Sequence, residues 1–223
     1  MQVSALSRYL AAPRKGHVEM ALHIFSYIKG HDHSKCVFDP SIPEHGIIQD
    51  VAYDWTDFYP DAKEEIPPEV PEPRGKTLYT SMYVEADHAG DLITRRSQYG
   101  VLIYVNSAPI TWFSKRHNAV ESSTFGSEFI ALRIGTELLK GLRYKLRMMG
   151  VPIHKDPSTV WVDNESVVKN TSVPESTLKK KHVAICYHLV REAAAAGIIK
   201  IYHIRSEDNK ADLLTKDLGG IKL

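Results

Sequence analysis

The stretch that decides the fold of this chain is TLYTSMYVEAD, residues 77–87. Its side chains alternate, so that Leu78, Thr80, Met82 and Val84 fall on one face and Tyr79, Ser81, Tyr83, Glu85 and Asp87 on the other. An alternation with a period of two predicts a β-strand that covers a core with one of its faces. Because Glu85 and Asp87 are two residues apart, both carboxylates are expected on the same face at the C-terminal end of the strand.

Outward from this strand, the pattern predicts a mixed α/β domain. Further strands are predicted at 101–105, 110–113, 159–162 and 198–204, and helices at 125–149, 165–169, 178–196 and 210–216. Strands that follow each other directly favour antiparallel hairpins, whereas the later strand–helix alternation favours parallel additions to the same sheet. The order βββαβαβα therefore predicts one mixed sheet with helices on its faces.

The first 75 residues follow a different pattern. Short helices are predicted at 3–12 and 17–29, and a short strand at 35–38. Residues 54–72 then hold seven acidic residues and several prolines against a single lysine, Lys63. This composition is typical of an extended linker with few contacts. We therefore divide the chain into a helical segment (1–53), an acidic, proline-rich linker (54–75) and an α/β domain (76–223) that is expected to fold without the rest.

Composition excludes several classes of protein. With 43% hydrophobic and 25% charged residues, the chain suits a globular protein with its own core. Two cysteines, Cys36 and Cys186, are too few for a disulfide framework or a multi-cysteine zinc site. No apolar run approaches the roughly 20 residues of a membrane span. Arg8 interrupts the apolar stretch near the N-terminus, so a signal peptide and secretion are not expected.

The net charge of +1 hides an asymmetry between the two parts of the chain. Residues 1–75 hold 7 Lys and Arg against 12 Asp and Glu, a net charge of −5. Residues 76–223 hold 21 against 15, a net charge of +6. A basic second part indicates either a polyanionic partner or ordinary surface charge.

Five carboxylates fall where ligands commonly bind in α/β proteins. Glu85 and Asp87 end the first strand, Asp163 ends a later strand, and Glu128 and Asp212 lie near the starts of helices. Without cysteine or clustered histidine ligands, such a set favours Mg²⁺ or Mn²⁺. Two such ions about 3.5–4 Å apart activate water and stabilise the leaving oxygen in phosphodiester hydrolysis. The alternative is that each residue is a solvated cap or strand end, with Glu128 and Asp212 stabilising helix dipoles.

Short motifs connect the domain with a known family. They are EADHAGD (85–91), TRRS (94–97), ITWFSK (110–115), SSTFGSEF (122–129), VDNE (162–165), KH (181–182), VRE (190–192) and ADLLTK (211–216). In their joint order and spacing they resemble the ribonuclease H domain of copia-type long-terminal-repeat retrotransposon polyproteins. The resemblance implies a ribonuclease H-like mixed five-stranded sheet flanked by helices, with a small helical segment before it.

The N-terminal residues resemble the end of the reverse transcriptase of the same polyproteins. The matching residues are LSRY (6–9), Pro13, His17 and YIKG (27–30). The chain contains no paired-aspartate polymerase motif, so polymerisation is not expected. We interpret the chain as a fragment of a larger polyprotein whose other parts are its partners.

The resemblance also implies an activity and a site. The family cuts the RNA strand of RNA–DNA hybrids with two divalent ions, Mg²⁺ or Mn²⁺. Glu128, Asp163 and Asp212 match three of its metal-binding, catalytic acids. The first acid is usually an aspartate where this chain has Glu85, and Asp87 also matches a family acid that binds metal. The catalytic histidine of cellular ribonuclease H enzymes has no clear match.

Several further residues are candidates for binding the hybrid. They are Arg95 and Arg96 after the first strand, Asn164 beside Asp163, and the basic run Lys179, Lys180 and Lys181. Basic side chains contact phosphates without sequence preference. The alternatives are solvated surface charges, and for Asn164 a helix cap. Neither a small-molecule cofactor nor a membrane is expected, and the resemblance implies a cytoplasmic location in a virus-like particle, or a nuclear one.

Two other functions stay open at this stage. The chain is either an active nuclease or a catalytically decayed, nucleic-acid-binding fragment, and Glu85 favours the second. An integrase- or transposase-like nuclease is a third possibility. The TRRS hairpin segment and the ADLLTK ending argue against it.

Overall fold

The computed structural model describes residues 2–44, 51–178 and 181–216. Its helices are α1 (Gln2–Ser7), α2 (Lys15–Gly30), α3 (Thr124–Met148), α4 (Glu165–Ser172) and α5 (Ala184–Ala195). Its strands are β1 (Thr80–Asp87), β2 (Gln98–Val105), β3 (Ala108–Arg116), β4 (Ser158–Val162) and β5 (Ile199–His203). Short 3₁₀ helices cover Lys181–Val183, Ser206–Asp208 and Lys210–Leu214.

The five strands form one mixed sheet in the order β3-β2-β1-β4-β5. β1, β2 and β3 pair antiparallel, whereas β4 is parallel to both β1 and β5. The predicted ribonuclease H-like, five-stranded α/β fold is confirmed. Since β1 and β4 run the same way, their C-terminal ends open on the same edge of the sheet.

The core lies between the sheet and α3. Met82 and Val84 of β1, on the face predicted to be apolar, are fully buried with Phe129 and Leu132 of α3. Each such side chain contributes roughly 1.5–3 kcal/mol by its removal from water. Gly135 permits the close approach, because a Cβ at this position would lie 2.7 Å from the sulfur of Met82.

The position of α3 along the sheet is fixed at both of its ends. The Ser123 hydroxyl caps the first turn by accepting a hydrogen bond from the Gly126 N–H at 3.1 Å. After the last turn, Gly150 has a φ of +72°, a left-handed conformation that glycine adopts without strain. These boundaries place Glu128 in the second turn, near the C-terminal edge of β1 and β4.

Several elements differ from the prediction. The helix predicted at 3–12 ends at Ser7. Residues 35–38 form no strand, since Val37 and Phe38 are exposed and gain no buried face. Of the helix predicted at 178–196, Lys181–Val183 form a 3₁₀ turn and Ala184–Ala195 form an α-helix. The last helix is 3₁₀ in form and packs on Gly100 of β2, where a Cβ would lie 2.8 Å from the Ala211 carbonyl oxygen.

The N-terminal helices bury none of their residues. Arg8 follows α1 directly, and its guanidinium contacts Asp91 at 3.0 Å and donates to Gln98 of β2 at 2.6 Å. No helix among the described residues has the length and hydropathy to cross a membrane.

The acidic stretch 54–72 contacts the domain, and the expectation of few contacts is wrong. We call it the acidic strap. The Glu64 carboxylate accepts two hydrogen bonds from Arg143, both at 2.8 Å, and two from Arg147, at 2.6 and 2.7 Å. Upstream in the strap, the Trp55 ring lies 4.9 Å from the guanidinium of Arg191. The strap therefore supplies a carboxylate that pairs with two arginines of α3.

The paired arginines change the acidity of Glu64. Burial alone would raise its pKa, but the hydrogen bonds and charges of Arg143 and Arg147 outweigh burial and lower the pKa from 4.5 to about 2. A carboxyl with a lowered pKa stabilises the fold above its unfolded value of 4.5 and loses this contribution as the pH falls towards 2.

We expect Glu64→Gln to lower the free energy of unfolding by about 2 kcal/mol at pH 7, because it leaves the buried Arg143 without its counter-charge. The exposed neighbour Glu65 provides the matched control, Glu65→Gln, which should leave stability unchanged. Urea unfolding at pH 7 and again at pH 3 measures both variants, and the difference should shrink at pH 3. Equal unfolding midpoints for the two variants at pH 7 would contradict a structural role for the strap.

Candidate active site

The C-terminal ends of β1 and β4 bring the first two carboxylates to the same edge. Tyr83 of β1 is aligned with Trp161 of β4 in the parallel ladder. Two residues further on, Glu85 and Asp163 therefore emerge side by side. Glu85 is only 5% exposed. The Asp163 carboxylate accepts a hydrogen bond from the Ser206 hydroxyl at 2.7 Å.

Glu128 reaches the same edge from α3. It is 7% exposed, and one of its carboxylate oxygens accepts a hydrogen bond from the Asn164 side chain at 3.0 Å. Its other oxygen, Oε2, is buried and has no hydrogen-bond partner among the described residues. Leaving a buried carboxylate oxygen without a donor costs folding free energy.

Asp212 lies on the 3₁₀ helix Lys210–Leu214, and Lys216 follows it. The Lys216 ammonium contacts Asp212 at 2.7 Å and Glu85 at 3.0 Å. Burial opposes the charge of Lys216, but its hydrogen bonds and ion pairs with Asp212 and Glu85 prevail and raise its pKa. A single ammonium thus joins two of the predicted acids.

Both glutamates at this edge have pKa values above their ordinary value of 4.5. Burial, and next the charge of Asp163, raise the pKa of Glu85 to about 8, although Lys216 opposes the shift. Burial also raises the pKa of Glu128 to about 7, against the lowering effect of its hydrogen bond from Asn164. Perturbed carboxyls that share like-charged neighbours are typical of catalytic and metal sites.

Asp87 stands slightly apart from this group. It is half-buried, and burial raises its pKa while Lys216 and His88 oppose the shift. Its carboxylate lies over the backbone of Gly90, where an added Cβ would meet a carboxylate oxygen at 1.7 Å. The loop after β1 therefore holds Asp87 in place through a glycine.

The donor chemistry of the site fits a hard divalent cation. Carboxylates converge, and the buried Oε2 of Glu128 lacks a donor. The side chains are nevertheless not arranged as a finished coordination shell: in the described ranges, no group of three or more His, Cys, Asp or Glu residues could hold a metal ion as they stand. A bound cation would have to draw Glu85 and Asp212 away from Lys216. The metal assignments of Glu85, Asp87, Glu128, Asp163 and Asp212 stay predictions.

The residues predicted to bind the hybrid are spread over several elements. Arg95 is exposed in the loop after β1 with a φ of +55°, and Arg96 is half-buried in the same loop. Lys181 is exposed at the start of a 3₁₀ turn, whereas Lys179 and Lys180 lie outside the described residues. Asn164 caps α4, as the alternative reading held, by accepting from the N–H groups of Ser166 and Val167.

Sequence reasoning missed two polar residues of the site. Lys216 stood in the quoted ADLLTK motif, but nothing in the pattern indicated that its ammonium joins two carboxylates. Asn209, which is 3% exposed, donates to Glu85 at 3.2 Å from a segment 124 residues away. An asparagine just before a helix signals a cap, yet its second contact crosses between elements and has no local signature.

Relatives of the chain include transposon proteins, and no protein-family model matches it. It is 25% identical over 219 residues to the retrovirus-related Pol polyprotein from transposon RE2 of Arabidopsis thaliana, a match over 98% of this chain. The corresponding polyprotein from transposon TNT 1-94 of Nicotiana tabacum is 32% identical over 135 residues, 60% of this chain. The chain is homologous to the Pol polyproteins of copia-type transposons.

The homology covers only a small part of those Pol polyproteins. The chain spans 13% of the RE2 protein and 10% of the TNT 1-94 protein. Among solved structures, LC11-RNase H1 in complex with RNA/DNA hybrid has a TM-score of 0.49 and 18% identity over 61% of this chain and 93% of that chain. The fold assignment rests on the strand order and connections described above.

We expect Glu128→Gln to raise the free energy of unfolding by about 1–3 kcal/mol at pH 8 without divalent ions. The glutamine removes the buried charge but still accepts from Asn164. Because the folded-state pKa of Glu128 is raised from 4.5 to about 7, the wild-type protein loses stability as the pH rises through this window. The gain should therefore be large at pH 8 and nearly absent at pH 4.5.

Urea unfolding in a chelating buffer at both pH values measures the effect. Glu175→Gln, at an exposed position, is the matched control and should change stability at neither pH. A Glu128→Gln variant that is equally stable or less stable than wild type at pH 8 would show that this carboxyl carries no buried charge.

Proposed function

We propose that this chain is a divalent-metal-dependent ribonuclease H that cuts the RNA strand of RNA–DNA hybrids, as part of a retrotransposon Pol polyprotein. The observation that carries the proposal is the convergence of Glu85, Glu128, Asp163 and Asp212 at one sheet edge. Three of the four are almost fully buried, and the pKa values of Glu85 and Glu128 are raised. The ribonuclease H-like fold and the homology to Pol polyproteins support it.

The carboxylates would hold two Mg²⁺ or Mn²⁺ ions. Bound divalent ions supply an activated water and stabilisation of the leaving oxygen. The pKa of Glu85 is raised to about 8 and that of Glu128 to about 7, and a bound cation would favour the ionised form of both carboxyls. Without a cation, the Lys216 ammonium contacts Glu85 and Asp212.

The hybrid would contact the basic side chains near this edge. Arg95 and Arg96 lie in the loop that leaves β1, directly after the strand end that carries Glu85. Lys181, with Lys179 and Lys180, is proposed as a second phosphate contact. The net charge of +6 in residues 76–223 supports a polyanionic partner. Phosphate contacts by these side chains would make the affinity for the hybrid fall as the salt concentration rises, so this dependence measures their binding.

A second function is favoured by one observation. The Lys216 ammonium already pairs with Glu85 and Asp212, so the protein forms a compact charge cluster from its own side chains. A catalytically decayed domain that binds nucleic acid but does not cut it would suit this arrangement and the glutamate at position 85. An assay that measures both hybrid binding and hybrid cleavage distinguishes the two functions, because only the active ribonuclease cuts the hybrid that it binds.

The remaining proposals concern context. We propose that residues 1–53 are the end of a reverse transcriptase and that the rest of that polyprotein is a partner. The acidic strap belongs with the ribonuclease H-like domain, given its contacts with α3 and α5. A cytoplasmic virus-like particle, or the nucleus, is the proposed location.

We expect the purified protein to cleave the RNA strand of a labelled hybrid only with Mg²⁺ or Mn²⁺ present. Asp163→Asn keeps the shape and removes one ligand charge, so it should reduce the rate at least about 100-fold while hybrid binding and the melting temperature are kept. Asp156→Asn, at an exposed position remote from the cluster, is the control and should cut normally.

The two arms of this assay separate the candidates. Full cleavage by Asp163→Asn would contradict the assigned site. Wild-type protein that binds the hybrid tightly but does not cut it at any Mg²⁺ or Mn²⁺ concentration would favour the decayed binding domain.

We expect Glu85→Asp to cut faster than wild type in Mg²⁺. The longer glutamate displaces a bound cation from the position that an aspartate gives it, and a misplacement of about 1 Å costs on the order of 100-fold in rate. Mn²⁺ tolerates distorted geometry better, so the Mn²⁺-to-Mg²⁺ rate ratio should be higher for wild type than for Glu85→Asp. Cleavage rates at saturating metal measure this ratio.

Glu85→Ala identifies the first acid independently. A nearly normal rate in Glu85→Ala would assign the role to Asp87. If Glu85→Asp is no faster than wild type while both cut well, the glutamate is fully functional at this position.

A further inference from the structure

Two asparagines make the same unusual pair of contacts. The Asn164 side-chain oxygen caps α4 by accepting from the N–H groups of Ser166 at 2.9 Å and Val167 at 3.2 Å. Its amide nitrogen donates to Glu128 at 3.0 Å. Asn164 also directly follows Asp163 in the chain. One side chain thus ties the segment carrying an aspartate to a glutamate on a different element.

Asn209 repeats this arrangement on the other side of the cluster. Its oxygen accepts from the Ala211 N–H at 3.1 Å, which caps the 3₁₀ helix that carries Asp212. Its nitrogen donates to the Val84 carbonyl at 3.0 Å and to Glu85 at 3.2 Å.

The caps fix which end of each amide faces the carboxylate. Backbone N–H groups only donate, so they require the oxygen of Asn164 and of Asn209 to face the helix. The nitrogen must then point at the glutamate, which accepts. A neutral donor of this kind holds one carboxylate oxygen without competing as a cation. In Glu128 this donor holds Oε1, and the other oxygen, Oε2, is buried and has no hydrogen-bond partner among the described residues.

We propose that Asn164 and Asn209 are positioning residues that hold Glu128 and Glu85 in the geometry needed to bind a divalent cation. The proposal rests on the proposed function, and it assigns to Asn164 a contact with the glutamate in place of one with nucleic acid. Each asparagine couples a glutamate to the helix start beside an aspartate, so one side chain sets the relative position of two acids. Mutation of residues that orient metal ligands by hydrogen bonds commonly weakens metal affinity by about 10- to 100-fold.

Asn164→Ser and Asn209→Ser test this role. Serine caps helices about as well as asparagine, so the helix starts should persist, but its short hydroxyl cannot also reach the glutamate. Asn170→Ser is the matched control. Asn170 bridges the Ser166 carbonyl and the Ser176 hydroxyl within the same region, without touching a glutamate of the cluster.

Three measurements are made on the full chain. Calorimetric titration with Mg²⁺ should show an affinity about 10-fold weaker in each positioning variant than in Asn170→Ser. Cleavage should need correspondingly more Mg²⁺ for half its maximal rate, and saturating Mg²⁺ should restore that rate. Crystal structures in metal-free buffer should show the glutamate carboxylate displaced from its wild-type position.

Unmoved glutamates with unchanged Mg²⁺ affinity would overturn the proposal and leave both asparagines as caps. If the wild-type protein neither binds Mg²⁺ nor cuts the hybrid, the proposed function fails. The metal-free crystal structures then decide the positioning role alone: displaced glutamates support it and unmoved glutamates overturn it.

Discussion

The parallel pairing of β1 with β4 is the constraint on which the site depends. It aligns Tyr83 with Trp161, so the chain leaves both strands at the same level and presents Glu85 beside Asp163. Side chains alternate along a strand, and a slip of one residue would turn Glu85 into the apolar core. α3 and the last 3₁₀ helix add Glu128 and Asp212 only because this edge is already fixed. Burial of the hydrophobic face of β1 therefore fixes the register of the strand, and with it the position of Glu85 on the opposite face.

Bringing these acids together opposes folding. Burial raises the pKa of both glutamates, and like charges add to the effect. The protein offsets the cost with its own polar groups, Lys216 and two asparagines, rather than by exposing the site to water. Such local instability is the usual price of a site kept ready for a ligand.

The sequence predicted the sheet well because its pattern is local. The alternation around Met82 and the helical stripe around Leu132 each report burial within a few residues. The four acids were predicted from strand ends, helix starts and the family motifs. Lys216 and Asn209 were not, because the contact that each of them makes with Glu85 joins two distant segments of the chain. The strand expected at 35–38 fails for the converse reason: Val37 and Phe38 have the right composition but no neighbouring strand to cover.

The acidic strap has a consequence for the order in which the molecule forms. Glu64 meets Arg143 and Arg147 across separations of 79 and 83 residues, among the long loops that a chain closes slowly. During synthesis from the N-terminus, Glu64 leaves the ribosome well before α3 exists, at about 5–20 residues per second. Glu64 then stays hydrated and unpaired for several seconds, until Arg143 and Arg147 have been synthesised. Both arginines belong to α3, a helix that also packs against the core. This order of synthesis favours docking of the strap as a late step, one that completes the domain rather than starting it.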